Sequence, residues 1–134
     1  MVYNKENLKI LIVDDNEIDL ELLEAVLMRM GFQKIMKSKS SEEAIRLIED
    51  HPPDLFFIDI MMPGMAGDEF RGLLKENSAT KDIPVIFMSG IISKEEEKAI
   101  GGRLSSGDII VAKPFSKERI TKAIAESFKK IPED

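Results

Sequence analysis

The chain of 134 residues contains no cysteine. Disulfide bonds and thiolate metal sites are therefore excluded, and the single His51 cannot build a zinc site alone. Any bound cofactor is then expected to be a hard ion held by oxygen ligands.

Positive charge and long apolar runs are also scarce. Lys and Arg number 19 against 25 Asp and Glu, which gives a net charge of −6. Phosphate contacts need clustered basic residues, so we expect no direct binding to nucleic acid. No apolar run approaches the roughly 18 residues of a membrane span. The polar opening MVYNKENLK is unlike a signal peptide. The sequence predicts a cytoplasmic protein that stays out of the membrane and binds a soluble partner or a small ligand.

Short apolar runs alternate with helical patterns along the chain. The runs predict strands at 8–13, 33–37, 55–58, 83–88 and 108–112, and the helical patterns predict helices at 17–30, 40–50, 68–77, 93–104 and 116–130. No internal repeat or interdomain linker interrupts the pattern. Five alternations predict one α/β domain with a parallel sheet and helices on both faces.

Helical spacing also predicts which residues face the core. Leu22 and Leu23 are expected to point inward from the first helix, and Leu73 and Leu74 from the third. The fourth helix has few apolar residues and contains two consecutive glycines, Gly101 and Gly102. Each glycine lowers the stability of a helix by about 1 kcal/mol relative to alanine. We expect it to be the least firmly held element.

Polar residues stand where four of the predicted strands end. They are Asp14 and Asp15, Asp59, Ser89 and Lys113. In open parallel sheets the functional crevice lies outside the carboxyl ends of the strands. Each residue alone could be a helix cap, a turn former or a solvated charge. Their shared position predicts a functional site.

Three clustered carboxylates would repel one another. Two like charges about 4 Å apart repel by roughly 4 kcal/mol at an effective dielectric constant of 20. Such a group favours a divalent cation with oxygen ligands, for which Mg²⁺ is suited, and a nearby ammonium, which Lys113 supplies. The cation would present a phosphate donor to a carboxylate nucleophile and leave an acyl phosphate on an aspartate.

Four sequence blocks carry a resemblance to a known family. LIVDDN at 11–16, FFIDIMMPGMAG at 56–67, IPVIFMSG at 83–90 and VAKPF at 111–115 resemble the signature blocks of two-component response-regulator receiver domains, of the chemotaxis-receiver type. The resemblance implies a flavodoxin-like (βα)5 fold with strand order 2-1-3-4-5. We expect a single receiver domain over residues 1–134, with its core at about 8–130. Because the chain ends at Asp134, we also expect no effector domain, unless the domain is cut from a longer kinase or regulator. Met1 and the polar start favour a stand-alone protein.

The resemblance assigns the roles of the acidic residues. Asp59 would accept a phosphoryl group from a sensor histidine kinase or a phosphotransfer protein. Asp14, Asp15, Asp59 and the backbone carbonyl of Met61 would hold Mg²⁺, with Mn²⁺ as an alternative. The chain would then be a signalling domain that catalyses only its own phosphorylation and slow dephosphorylation, rather than a conventional enzyme.

The resemblance also assigns the residues around the phosphoryl group. Ser89 would donate a hydrogen bond to it, Lys113 would form an ion pair with it, and the Lys113–Pro114 peptide bond would be cis. The chain has Ile110 where the family usually has an aromatic switch residue. Switching is therefore expected to use other movements of the strand and of the helix beside it.

Two further residues bear on how long the phosphoryl group stays. Met61 and Ile91 are apolar and lie two residues after Asp59 and Ser89, so neither can orient an attacking water molecule. We expect slow dephosphorylation. Output would pass through the face formed by the fourth helix, fifth strand and fifth helix, to a downstream protein or to a phosphorylation-dependent homodimer.

Three other functions compete with this prediction. A haloacid-dehalogenase-like phosphatase would need a second aspartate where the chain has Met61. A flavodoxin-like nucleotide or flavin carrier would need a phosphate-binding loop where the acidic run DDNEID at 14–19 would repel phosphate. A receiver that no longer switches and serves as a docking module remains an alternative because of Ile110.

Overall fold

The computed structural model of the protein describes residues 3–129. Strand and helix alternate five times in it, as predicted. The strands are β1 (Lys9–Val13), β2 (Lys34–Ser38), β3 (Leu55–Asp59), β4 (Val85–Ser89) and β5 (Ile109–Ala112). All pairings are parallel, and the order is β2-β1-β3-β4-β5, which confirms the predicted topology.

The helices are α1 (Glu17–Arg29), α2 (Ser41–Asp50), α3 (Gly67–Glu76), α4 (Lys94–Ala99) and α5 (Lys117–Ser127). Four of them begin after a Ser or Asn whose side chain accepts a hydrogen bond from a backbone N–H of the first turn: Asn16, Ser40, Ser93 and Ser116. The predicted end of the last helix, Lys130, lies outside the described residues. No helix within residues 3–129 is long and apolar enough to cross a membrane.

Helix α4 is much shorter than the sequence predicted, and the expectation of a helix over 93–104 was wrong at its C-terminal end. Gly101 and Gly102 adopt φ angles of +67° and +71°, which turn the chain away from the helix. The segment 102–104 then runs antiparallel to the outer edge of β5, where Gly102 accepts a hydrogen bond from the Ile110 N–H at 2.9 Å. The α4 helix buries none of its own residues.

The core lies on both faces of the sheet. Buried residues of α1 and α5 pack on one face, and those of α2 and α3 pack on the other. Strands β3 and β4 are buried along their whole length, as expected for central strands covered on both faces. Leu22 and Leu73 are 53% and 42% exposed, so the prediction that they face inward was wrong. Adjacent helical residues are about 100° apart, and Leu23 and Leu74 take the inward positions.

Candidate functional site

The predicted site residues meet at the carboxyl edge of the sheet. Asp14 directly follows β1, Asp59 ends β3, Ser89 ends β4 and Lys113 directly follows β5. Because the strands are parallel and adjacent in the order β1-β3-β4-β5, their ends lie side by side. Asp15 is exposed beside them, whereas Asp14 is fully buried. The topology thus brings all five residues together.

Three carboxylates form the acidic part of the site. Asp14, Asp15 and Asp59 each offer an oxygen atom, and these oxygens lie within 4.8 Å of one another. Oxygen donors at this spacing suit a hard divalent cation that keeps part of its water shell. The exposed carboxylate of Asp15 leaves one side of the cluster open to solvent. The donor set therefore fits Mg²⁺.

The Lys113 ammonium lies at the centre of the site. Its Nζ donates hydrogen bonds to Asp14 Oδ2 at 2.7 Å, Asp19 Oδ2 at 2.8 Å and Asp59 Oδ2 at 2.9 Å. The lysine side chain is only 13% exposed, so water screens these contacts weakly. With Asp15 the site holds four carboxylates against one ammonium. Negative charge remains in excess for a cation to neutralise.

Asp19 is the site residue that the sequence reasoning missed. It lies in the first turn of α1, where an acidic residue is ordinarily explained by the helix dipole. Its backbone N–H bonds to Asn16 Oδ1 at 3.1 Å, which leaves its carboxylate free to reach Lys113. The nearest signal in the sequence is its spacing of one helical turn from Asp15.

Burial sets the protonation of the site. Burial raises the pKa of the Asp14 carboxyl to about 6, although hydrogen bonds from Lys113 and from the Asn16 N–H act in the opposite direction. Burial lowers the pKa of the Lys113 ammonium, but its hydrogen bonds to Asp14, Asp19 and Asp59 outweigh that effect and raise this pKa above its usual range. Below pH 6 a proton on Asp14 relieves part of the carboxylate repulsion.

The backbone around Asp59 is closely packed. The Met61 N–H donates to Asp59 Oδ1 at 3.0 Å, so the turn after β3 fixes one oxygen of this carboxylate. A Cβ atom on Gly67 would lie 2.3 Å from the backbone oxygen of Asp59. The first residue of α3 must therefore be glycine for the helix to approach the end of β3 so closely, a role that the sequence reasoning did not assign to it.

Ser89 and Lys113 are tied to each other through the backbone. The Lys113 N–H donates to the Ser89 carbonyl at 2.8 Å, and Ser89 Oγ accepts from the Ile91 N–H at 3.1 Å. The Ser89 side chain is buried, and its hydroxyl hydrogen is free to point elsewhere. The Lys113–Pro114 peptide bond is cis, as the resemblance implied.

Comparisons with known proteins agree with this geometry. A family model described as the response regulator receiver domain matches residues 10–125. The protein PilG of Pseudomonas aeruginosa is 33% identical over 127 residues, which are 92% of this chain and 90% of PilG. The transcriptional regulatory protein YvrH of Bacillus subtilis is 34% identical over 93% of this chain, and the chain spans about half of that relative, 51%. The crystal structure of Vibrio cholerae chemotaxis protein CheY4 matches with a TM-score of 0.74 and 25% identity, over 90% of this chain and 98% of CheY4.

Proposed function

The chain belongs to the response regulator receiver domain family, and we propose that it is a phosphorylation switch in which Asp59 is the phosphoacceptor. The observation that carries the proposal is the position of Asp59. Its carboxylate lies within 2.9 Å of the Lys113 ammonium and beside the acidic pair Asp14 and Asp15. A nucleophilic carboxylate between an ammonium and a cation-binding pair is suited to phosphoryl transfer.

The proposed step is an in-line displacement at phosphorus. A carboxylate oxygen of Asp59 attacks the phosphoryl group of a phosphohistidine on a kinase or phosphotransfer protein, and an oxygen–phosphorus bond forms. The phosphorus–nitrogen bond breaks, and its electron pair returns to the imidazole of the donor. Lys113 pairs with the phosphoryl oxygens as they approach, and the Ser89 hydroxyl donates a hydrogen bond to one of them.

Receiver domains bind Mg²⁺ at an acidic pocket, and in this chain we assign it to Asp14, Asp15, Asp59 and the Met61 carbonyl, with Mn²⁺ as an alternative. When bound, the ion would neutralise charge on the transferring phosphoryl group. The Met61 assignment is supported by the hydrogen bond from the Met61 N–H to Asp59, which keeps the backbone of Met61 beside the cluster.

The phosphoryl group is proposed to leave slowly. Met61 and Ile91 are 60% and 70% exposed, so both side chains reach solvent near the site, yet neither can hydrogen-bond a water molecule. Hydrolysis then depends on unassisted water. Following the loss of the adduct by intact mass checks this, and release within seconds would contradict it.

Phosphorylation is proposed to bias two conformations that differ in the face formed by α4, β5 and α5. The partners would be a histidine kinase or phosphotransfer protein, and a downstream protein or a second copy of the chain. We further propose that residues 1–134 act as one receiver domain in the cytoplasm. The alternative function, a docking module that does not switch, is still based on Ile110, which replaces the usual aromatic residue and is 2% exposed in β5.

The deciding experiment is intact mass spectrometry after incubation with acetyl phosphate, with and without Mg²⁺. We expect one Mg²⁺-dependent phosphoryl adduct on the wild type and none on Asp59→Asn. Asp54→Asn is the matched control, because Asp54 directly precedes β3 and lies at the opposite end of that strand from Asp59. No adduct on the wild type would favour the docking module, and steady phosphate release from small esters would favour a phosphatase.

A further inference from the structure

A groove of about 380 Å³ lies between α4, β5 and α5. Helix α4 ends at Ala99 and buries none of its own residues. Gly101 and Gly102 line the groove, and a Cβ atom on either would meet no neighbour within 4 Å. The α4 side of the groove is thus lined by the long charged side chains of α4 itself and, just beyond its end, by two glycines.

The floor of the groove is apolar, and two backbone N–H groups on the outer edge of β5 are already paired. Ile110 and Ala123 contribute to the floor from β5 and α5. The Ile110 N–H bonds to the Gly102 carbonyl, and the Ala112 N–H bonds to the Glu97 carboxylate at 2.6 Å. An incoming strand would find these donors occupied, so the groove is suited to side chains rather than to strand addition.

The rim of the groove is basic although the chain has a net charge of −6. Five basic and two acidic residues line it. Both acidic residues have partners, since Glu97 pairs with Arg119 and Glu126 pairs with Arg103. The remaining three basic residues are exposed and form no ion pair within residues 3–129: Lys94, Lys98 and Lys122.

The charges on the rim distinguish between two possible binding partners of the groove, a second copy of the chain and an acidic protein. A second copy bound through the same face in a twofold dimer would bring two such lysine rims into one interface, and like charges that meet across an interface cost several kcal/mol. An acidic partner would instead place carboxylates against ammonium groups that have no other partner in the part of the chain that the structure describes. Charge complementarity therefore favours an acidic partner over a second copy.

We propose that this groove, as the output surface of the switch proposed above, binds an acidic segment of a partner protein. An apolar side chain of the segment enters the groove, and flanking Asp and Glu residues face Lys94, Lys98 and Lys122. The inference rests on the proposed function in one respect only, namely that phosphorylation controls when the groove binds its partner. The recognition chemistry follows from the groove and its rim.

The test uses a set of fluorescein-labelled helical peptides with the same Leu spacing, half of them flanked by Glu and half by Lys. Fluorescence anisotropy measures binding to the wild type before and after phosphorylation with acetyl phosphate. We expect the Glu peptides to bind at least tenfold more tightly than the Lys peptides, and to lose affinity as salt is added.

Two triple variants locate the site. Lys94→Glu, Lys98→Glu and Lys122→Glu together should weaken Glu-peptide binding at least tenfold. The control triple replaces lysines that are exposed, do not line the groove and form no ion pair within residues 3–129: Lys34→Glu, Lys75→Glu and Lys81→Glu. It makes the same change in net charge and should alter binding less than twofold.

Several outcomes would overturn the proposal. They are equal binding of both peptide sets, no binding of any Glu peptide below about 1 mM, equal losses in the two triple variants, or a wild-type dimer in sedimentation that the groove lysine variants abolish. The phosphoryl adduct is measured by mass in the same samples. If the adduct forms and no Glu peptide binds, the groove inference fails while the proposed phosphorylation stands.

Discussion

The carboxylate of Glu97 on α4 accepts a 2.6 Å hydrogen bond from the backbone N–H of Ala112, the residue before Lys113. Arg119 on α5 contacts the same carboxylate at 3.4 Å and donates to the Ala112 carbonyl. Both polar backbone groups of Ala112 are thus held by side chains from two different helices. A displacement of Lys113 would therefore move Ala112 and, through these hydrogen bonds, act on α4 and α5. This connection does not need an aromatic side chain at the position of Ile110.

This connection predicts that Glu97→Ala destabilises the protein by about 1–3 kcal/mol, because the part-buried Ala112 N–H loses its acceptor. Glu97→Gln should cost less, since the amide oxygen can still accept from Ala112. Glu95→Ala, at an exposed position on the same helix, is the control. Urea unfolding midpoints measure the three effects. Equal midpoints for Glu97→Ala and Glu95→Ala would show that the bond from Ala112 to Glu97 does not stabilise the fold.

A second prediction concerns the central ammonium. Lys113→Met leaves the carboxylates of Asp14, Asp19 and Asp59 without their shared partner and should destabilise the metal-free protein by about 3 kcal/mol at pH 7.5. The loss should shrink at pH 4.5, because Asp14, whose pKa burial raises to about 6, is then protonated. Mg²⁺ should restore more stability to the variant than to the wild type. Thermal unfolding at the two pH values checks this, and a loss independent of pH would argue for packing instead of charge.

A third prediction follows from the protonation of Asp14. The folded-state pKa of its carboxyl, about 6, lies above the ordinary 3.8, so the metal-free fold is stabilised by the proton and loses that contribution as the pH rises through 6. Mg²⁺ competes with this proton, and its affinity should fall about tenfold per pH unit below 6. Calorimetric titration between pH 5 and 8 measures it. A constant affinity down to pH 5 would show that Asp14 does not compete for the ion.

A fourth prediction tests the close approach of α3 to β3. Gly67→Ala places a methyl group 2.3 Å from the Asp59 carbonyl, so the helix or Asp59 must move. We expect a loss of roughly 1–3 kcal/mol in stability and phosphorylation slowed by about 100-fold, since a displacement near 1 Å can cost that much. The control is Gly72→Ala in the same helix, where a Cβ meets nothing within 4 Å and which should stabilise by about 0.5–1 kcal/mol. Urea unfolding and phosphorylation time courses separate the two effects.

The sequence predicted the sheet and the strand-end residues because both depend on local patterns. Each apolar run stops at a polar residue, and parallel topology alone brings those ends to one edge. Strand bounds differ from the predicted ones by at most two residues. The strand order itself came from the family resemblance, since alternation alone does not fix which strands are neighbours.

What the sequence did not predict depends on contacts between distant residues. Asp19 meets Lys113 across 94 positions, and nothing local distinguishes it from a helix-dipole residue. Glu97 belongs to the run KEEEK at 94–98, which has the pattern of a solvated helix face, yet its carboxylate turns inward to β5. The early end of α4 was also missed, because the helical pattern continues to Leu104 while the positive φ angles of the glycines are set by pairing with β5.

The Lys113 ammonium carries three hydrogens, and in this structure three aspartates accept them. A phosphoryl oxygen on Asp59 can therefore accept a hydrogen bond from this lysine only if one of the three aspartates loses its own hydrogen bond to Lys113. Asp19 is the most exposed of the three at 26%, so water can replace its bond at the lowest cost. Arrival of the phosphoryl group would then release the Asp19 carboxylate, in the first turn of α1, from the lysine that follows β5.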